Sequence, residues 1–251
     1  HLTDDAANLD KWTFPAVNLN PGATLVVFAS GKNRTAPSAP KARLHTNFRL
    51  SADGEYLALV APDGVTVVSA FAPSYPRQFR NESFGLDLDF GPPLADDLVW
   101  SFFSIPTPGK PNNNGTHAGP IISVVEKNPT QPEVGPLTVS VVVRSTNEPV
   151  ATVNLYYRKM FERDTMLPMN DDGIEGDAVA SDGVWTAVIP GKAFAPGEMT
   201  RWRFVATDRD GTATKEPAYR ARLDSHKYFG TVARDSRIRS FLPVLHWFTR
   251  N

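Results

Sequence analysis

Cysteine is missing from this chain altogether, which excludes disulfide bridges, thiolate nucleophiles and zinc sites built on thiolates. Long hydrophobic runs are missing too. The longest, Leu25–Ala29 and Phe241–Phe248, fall far short of the roughly 20 residues that a membrane-spanning helix needs. Neither sign of charge is in excess: 26 basic and 27 acidic side chains leave a formal net charge of −1. Composition therefore gives no electrostatic case for binding nucleic acid or an anionic membrane. Helical periodicity is scarce, and the 22 prolines and 17 glycines suit short strands joined by turns. The chain opens at His1 with no methionine and no signal-peptide pattern, as expected of a processed product or an excised fragment.

What the chain does contain is a rhythm of short apolar runs. TLVVFAS (24–30), EYLALVA (55–61), VTVVSA (65–70) and DLVWSFF (97–103) are each bounded by Pro, Gly, Asp or Asn. Pro62-Asp63-Gly64 between the second and third predicts a hairpin. The stretch PTPGKPNNNGTHAGP (106–120) carries no periodic apolar pattern and reads as a linker, with 113–120 as its core. Beyond it, PIISVVEKN, PLTVSVVVRS, VATVNLYYRK, DGVWTAVIP and MTRWRFVATDRDG predict five or more strands. Their apolar positions alternate, with Trp202, Phe204 and Ala206 on one face and Arg201, Arg203 and Val205 on the other. A strand every dozen or so residues, over roughly 100 residues, predicts a small β-sandwich of immunoglobulin or fibronectin III type. The expected architecture is all-β: two tandem immunoglobulin-like sandwiches, over 1–112 and 121–222, and a C-terminal strap over 223–251. That last segment is basic in its middle and apolar in FLPVLHWF, as expected of a strap or of the start of a further domain.

Candidate chemistry concentrates in NDDGIEGDAVASDG, Asn170 to Gly183. Calcium takes six to eight oxygen ligands, and Asn170, Asp171, Asp172, Glu175, Asp177 and Asp182 offer several. Asp172, Asp177 and Asp182, five residues apart, are the preferred set. The spacing is not that of an EF-hand. The alternative is a turn in which Asx side chains accept backbone hydrogen bonds and the glycines adopt positive φ; both readings stand at this point. Proton-transfer chemistry would need a cleft and carboxylates with separated pKa values, which a turn loop does not suggest.

Other motifs point away from catalysis. ASGKNR (29–34) lacks the first glycine, the Ser or Thr after the lysine and the following helix of a phosphate loop, so it reads as a strand-end turn. His1, His45, His117, His226 and His246 show no zinc spacing, and no G-x-S-x-G elbow occurs. Trp185 and Trp202 lie in alternating strands and are expected in a core. Trp12 and Trp100 are the pair kept as candidates for stacking on a sugar. N-x-[ST] sequons occur at Asn33, Asn81 and Asn114.

The segments LTDDAANLDKWTFP (2–15), LNPGATLVVFASGKNR (19–34), LHTNFRLSADGEYLALVAPDG (44–64), ESFG (82–85) and FFSIPTPGKPN (102–112) resemble a secreted bacterial lamin-tail domain. That resemblance implies an immunoglobulin-like sandwich used for adhesion or interaction. Such domains usually open with one or two strands ahead of the segment matching HLTDD. Their lack here predicts an unpaired sheet edge open to self-association. MNDDGIEGDAVASDGVWTAVIP resembles the immunoglobulin-like module that follows lamin-tail domains. In such proteins the next domain is commonly of the spore-coat-protein-H (CotH) family of atypical kinases, and FLPVLHWFTRN looks like its opening strand. The expected function is a non-catalytic interaction, adhesion or spacer segment of a larger secreted or cell-surface bacterial protein. It requires no cofactor, calcium in the acidic loop being the one candidate ion, and its partner is a protein or a cell-surface glycan. The alternatives are a carbohydrate-binding module and an accessory part of a CotH-like kinase.

Overall fold

The computed structural model describes residues 1–36, 43–87, 98–112, 116–130, 132–218, 227–239, 244–246 and 248. Among these the chain is all-β, in several small sheets, with a single 3-10 turn at Gly191–Ala193. No helix is long and apolar enough to cross a membrane. Two compact units, His1–Thr116 and His117–Asn251, divide inside the stretch read as a linker.

The first unit contains β1 (Leu2–Thr3), β2 (Val27–Phe28), β3 (Leu44–His45), β4 (Leu57–Val60), β5 (Val67–Phe71), β6 (Ser83–Leu86) and β7 (Trp100–Phe103). They form an antiparallel sheet in the order β1-β4-β5, a parallel pair β2-β3 and an antiparallel pair β6-β7. The run 24–30 yields only the two residues of β2, because β3 offers it only two residues to pair with. The unit is held by aromatic packing as much as by pairing. Trp12, Leu44 and Phe48 are buried together, with Phe14 edge-on to Trp12 at 4.9 Å. Rings of Phe71, Phe84, Phe102 and Trp100 pack in succession beside β6 and β7, with Phe71–Trp100 and Phe84–Phe102 both at 4.8 Å. In the SADGEY turn Gly54 sits at φ +92°, where an added Cβ would lie 2.3 Å from the Tyr75 carbonyl oxygen. Only glycine fits that approach.

The hairpin predicted at Pro62-Asp63-Gly64 joins β4 to β5. The Asp63 carboxylate accepts hydrogen bonds from the amides of Val65 (3.0 Å) and Thr66 (2.9 Å). The Thr66 hydroxyl, followed by these two amides, pulls the Asp63 carboxyl down from 3.8 to about 2. The bonds favour the charged form, so their contribution is complete above the unfolded-state value of 3.8 and is lost as pH falls through about 2. Substituting Asp63→Asn is expected to flatten the fall in stability over that window, as measured by equilibrium unfolding at a series of acidic pH values.

The linker stretch is tied down on both sides of the division. Within the first unit, Lys110 N–H donates to the Thr107 carbonyl and the Asn112 amide donates to the Leu86 carbonyl at 2.9 Å. Within the second, Thr146 Oγ1 donates to the Ala118 carbonyl at 2.7 Å, and Ala118, Gly119 and Pro120 are buried. Among the described residues of this stretch, proline and glycine supply turns that pack.

The second unit contains β8 (Ile121–Asn128), β9 (Leu137–Arg144), β10 (Val150–Lys159), β11 (Thr165–Pro168), β12 (Val184–Ile189), β13 (Met199–Asp208), β14 (Ala213–Glu216) and β15 (Phe229–Val232). One sheet runs β12-β9-β8. The other runs β11-β10-β13-β14, with β15 also on β13. A shared core draws Leu137, Val139 and Val141 from β9, Val153 and Leu155 from β10, Ile189 from β12, and Trp202, Phe204 and Ala206 from β13. The alternation read from the sequence places these inward and Arg201, Arg203 and Val205 outward. β14 and β15 divide one edge of β13, pairing with Phe204–Thr207 and Met199–Trp202 respectively. The segment 223–251 thus contributes β15 to this sheet, and Ala233 to its core. Within FLPVLHWF, residues 241–243 and Trp247 lie outside the described residues, and Val244 and Leu245 are exposed.

Candidate functional site

The acidic loop is built upward from a closed base. Antiparallel pairing of β10 with β11 ends at Asn154 opposite Pro168, and the next residues turn toward β12. There Asn170 and Thr186 exchange backbone hydrogen bonds at 2.9 and 2.8 Å. This bridge sets Asp171 beside the start of β12, where its carboxylate accepts from the amides of Asp182 and Gly183, both at 3.1 Å. The Ser181 amide donates to the Asp171 carbonyl at 3.1 Å. Asp177 is buried, at 8 % exposure, and its carboxylate accepts the Gly173 amide at 2.7 Å. Five residues of the loop take positive φ: Gly173, Glu175, Gly176, Ser181 and Gly183. Gly183 is required, since a Cβ there would approach the Val143 carbonyl to 3.2 Å.

The loop gathers Asp171, Asp177 and Asp182, whose carboxylate oxygens lie within 4.8 Å of one another. Oxygens on opposite sides of one calcium ion stand about 4.6–5.2 Å apart, twice the usual bond length. Three hard, anionic donors within a single ion's reach fit that chemistry. Asp172, the member preferred on spacing, is not among the three: its carboxylate accepts the Ile174 amide at 3.2 Å. Asn170 contributes its backbone to the bridge with Thr186. The trio's bonds to backbone amides brace the loop without any ion, so the turn reading and the calcium reading share one geometry.

The tryptophan pair separates. Trp12 is 2 % exposed in the core of the first unit, so it has no free face for a sugar. Trp100 is 39 % exposed, one ring face lying against Phe84 at 5.9 Å. Beside this aromatic set, Leu50, Leu57, Phe71, Tyr75, Gln78 and Phe84 line a cavity of about 400 Å³, which the sequence did not single out. Tyr75 is fixed in it by donating to the Ser51 carbonyl at 2.6 Å, and burial, then the Glu55 charge, pushes its hydroxyl up to about 12. Trp202 is buried and Trp185 packs against the same core.

ASGKNR and His45 make contacts within the first unit. In ASGKNR the amides of Gly31, Asn33 and Arg34 donate to the carbonyls of Phe48, Thr46 and His45, so those that would cradle a phosphate are spent. His45 Nδ1 shares a hydrogen bond with Ser30 Oγ at 2.8 Å. Desolvation, then the charges of Lys32 and Arg34, lowers its pKa. Asn33 and Asn81 are exposed; Asn114 and His226 lie outside the described residues.

Comparison of the chain with protein-family models and with curated proteins finds no match.

Proposed function

We propose that the chain is a non-catalytic interaction and spacer segment of a larger secreted or cell-surface bacterial protein. In this reading its two units are immunoglobulin-like sandwiches, the first of lamin-tail type, and a CotH-like kinase domain belongs to the same parent protein. The observation that carries the reading is the free edge at β5. This strand pairs with β4 alone among the described residues, and its sequence Val67-Val68-Ser69-Ala70-Phe71 holds no charge and no proline. Val67 is 43 % and Val68 62 % exposed. Proteins that avoid association usually blunt such an edge with charge, proline, a bulge or a covering element; β5 has neither charge nor proline, and its one irregularity is a register shift that leaves Val68 without a partner on β4. An apolar edge that no described residue covers favours strand addition, and a second copy aligned antiparallel would satisfy both edges through one self-complementary contact.

Sedimentation velocity over a concentration series tests this. The wild type is expected to sediment faster as concentration rises, while Val68→Lys stays monomeric. A wild type that is monomeric throughout contradicts pairing at this edge.

The acidic loop supports the same role by keeping the second unit rigid, with calcium reinforcing the bonds already made by Asp171, Asp177 and Asp182. Calcium at 100 times its dissociation constant is expected to add about 2.7 kcal/mol of stability, read as a rise in melting temperature that Asp177→Asn reduces. An unmoved melting curve removes calcium and leaves the turn. A glycan-binding reading rests on Trp100 alone, because Trp12 provides no second platform.

A further inference from the structure

The outward face of the larger sheet in the second unit is unbalanced in charge. Register places Tyr156 opposite Arg203 and Arg158 opposite Arg201, and Lys215 of β14 lies opposite Val205 on the same face. One carboxylate, Asp164, answers this group, and its capacity is taken up. Arg203 donates to its Oδ2 from Nε at 3.1 Å and Nη2 at 3.0 Å, and the Tyr228 hydroxyl donates to Oδ1 at 3.0 Å. Arg158 Nε is ion-paired with Asp164 Oδ1 at 3.7 Å, too far for a hydrogen bond, and is buried without a hydrogen-bond partner. Arg158 Nη1 goes to the Glu162 carbonyl at 3.2 Å. Arg201 makes no ion pair among the described residues; its Nη1 rests 3.5 Å from the Met160 sulfur. Lys159 is already matched by Glu198 at 3.0 Å.

Both under-used guanidiniums are nevertheless held in place. Arg158 and Arg201 sit over the Tyr228 ring at 4.4 and 4.7 Å, and Arg203 sits over Tyr156 at 4.1 Å. Stacking orients a guanidinium without neutralising it. Burial, then the neighbouring Arg158 charge, draws the Arg201 pKa below its ordinary value. Two preorganised, partly desolvated cations side by side, with N–H groups that no oxygen of the described residues takes, match the fork geometry by which arginine binds oxyanions.

We propose that Arg158 and Arg201, braced on Tyr228, form a binding site for one oxyanion, a sulfate or carboxylate group. This site is independent of the β5 edge and of any calcium, and it stands or falls separately from the function proposed above. The test is calorimetric titration of the whole chain with sodium sulfate, and separately with sodium acetate, against chloride at matched ionic strength. Saturable binding of either anion is expected, the two arms separating a sulfate site from a carboxylate site. Arg201→Gln is expected to weaken binding at least about tenfold, the loss of one charge-assisted bond; Arg201→Lys, which keeps charge but loses the fork, recovers part of it. In the wild type, the Arg158 and Arg201 Nε–H resonances should shift with the same midpoint, a readout that does not depend on any variant folding. If neither anion gives a saturable signal, or if Arg201→Gln binds as the wild type does, the site does not exist.

Discussion

Truncating Phe204 to alanine is expected to cost the second unit about 3–5 kcal/mol. Phe204 is fully buried at the middle of β13, opposite Leu155 of β10, with its ring 5.9 Å from Phe229 of β15. It belongs to the one core shared by both sheets, so the void would be lined by β9, β10 and β13 at once, and close-packed neighbours collapse only partly into such a gap. In urea, the unfolding midpoint of the second unit should fall with its slope unchanged. A loss below about 0.5 kcal/mol, the range of an ordinary surface change, would mean that β13 does not close the core.

The second large effect is at Asp171. Its carboxylate accepts two backbone amides, from Asp182 and Gly183, and hydrogen bonds to a charged group are each worth about 1.5–3 kcal/mol. Against this, removing Asp171 relieves two repulsions, with Asp177 and with Asp182, across as much as 4.8 Å, about 1 kcal/mol each at the dielectric of water. Asp182 is exposed, so its pair sits at the watery limit, whereas Asp177 is buried and its pair is screened less; two hydrogen bonds, about 3–6 kcal/mol together, outweigh the relieved repulsion by a margin at the low end of that range. Asp171→Ala is expected to destabilise the second unit by about 2 kcal/mol in the absence of calcium and to weaken any calcium response. Asp172→Ala loses one exposed bond to Ile174 and should cost less than half as much. Equal effects of the two substitutions would contradict the geometry of the loop.

That contrast shows what was legible in the sequence. Trp202, Phe204 and Ala206 could be assigned to a buried face because a long strand forces alternation, and the same period exposed Arg201 and Arg203. The first unit was less readable, since Trp12, Phe48 and Phe102 are buried by ring packing between short strands, where no period operates. β14 and β15 escaped notice because their sequences, ATKE and FGTV, gain strand character only from the long edge of β13. In the acidic loop the composition was legible but the partners were not. Regular spacing favoured Asp172, whereas the bridge between Asn170 and Thr186 turns Asp171 toward Asp182 and Gly183. The arginine-tyrosine face could not be anticipated either, because Asp164 and Tyr228 reach it from outside the alternating strands.

The claim that this chain works through an exposed sheet edge is tested most directly by amide hydrogen exchange at β5, in dilute and in concentrated solution. The account predicts that the amides of Val67–Phe71 not bonded to β4 exchange quickly when dilute and slow markedly when concentrated. Val68→Lys should remove the slowing, and the amides of β9 should not change. Exchange at β5 that is slow even in dilute solution, or that ignores concentration, would contradict it.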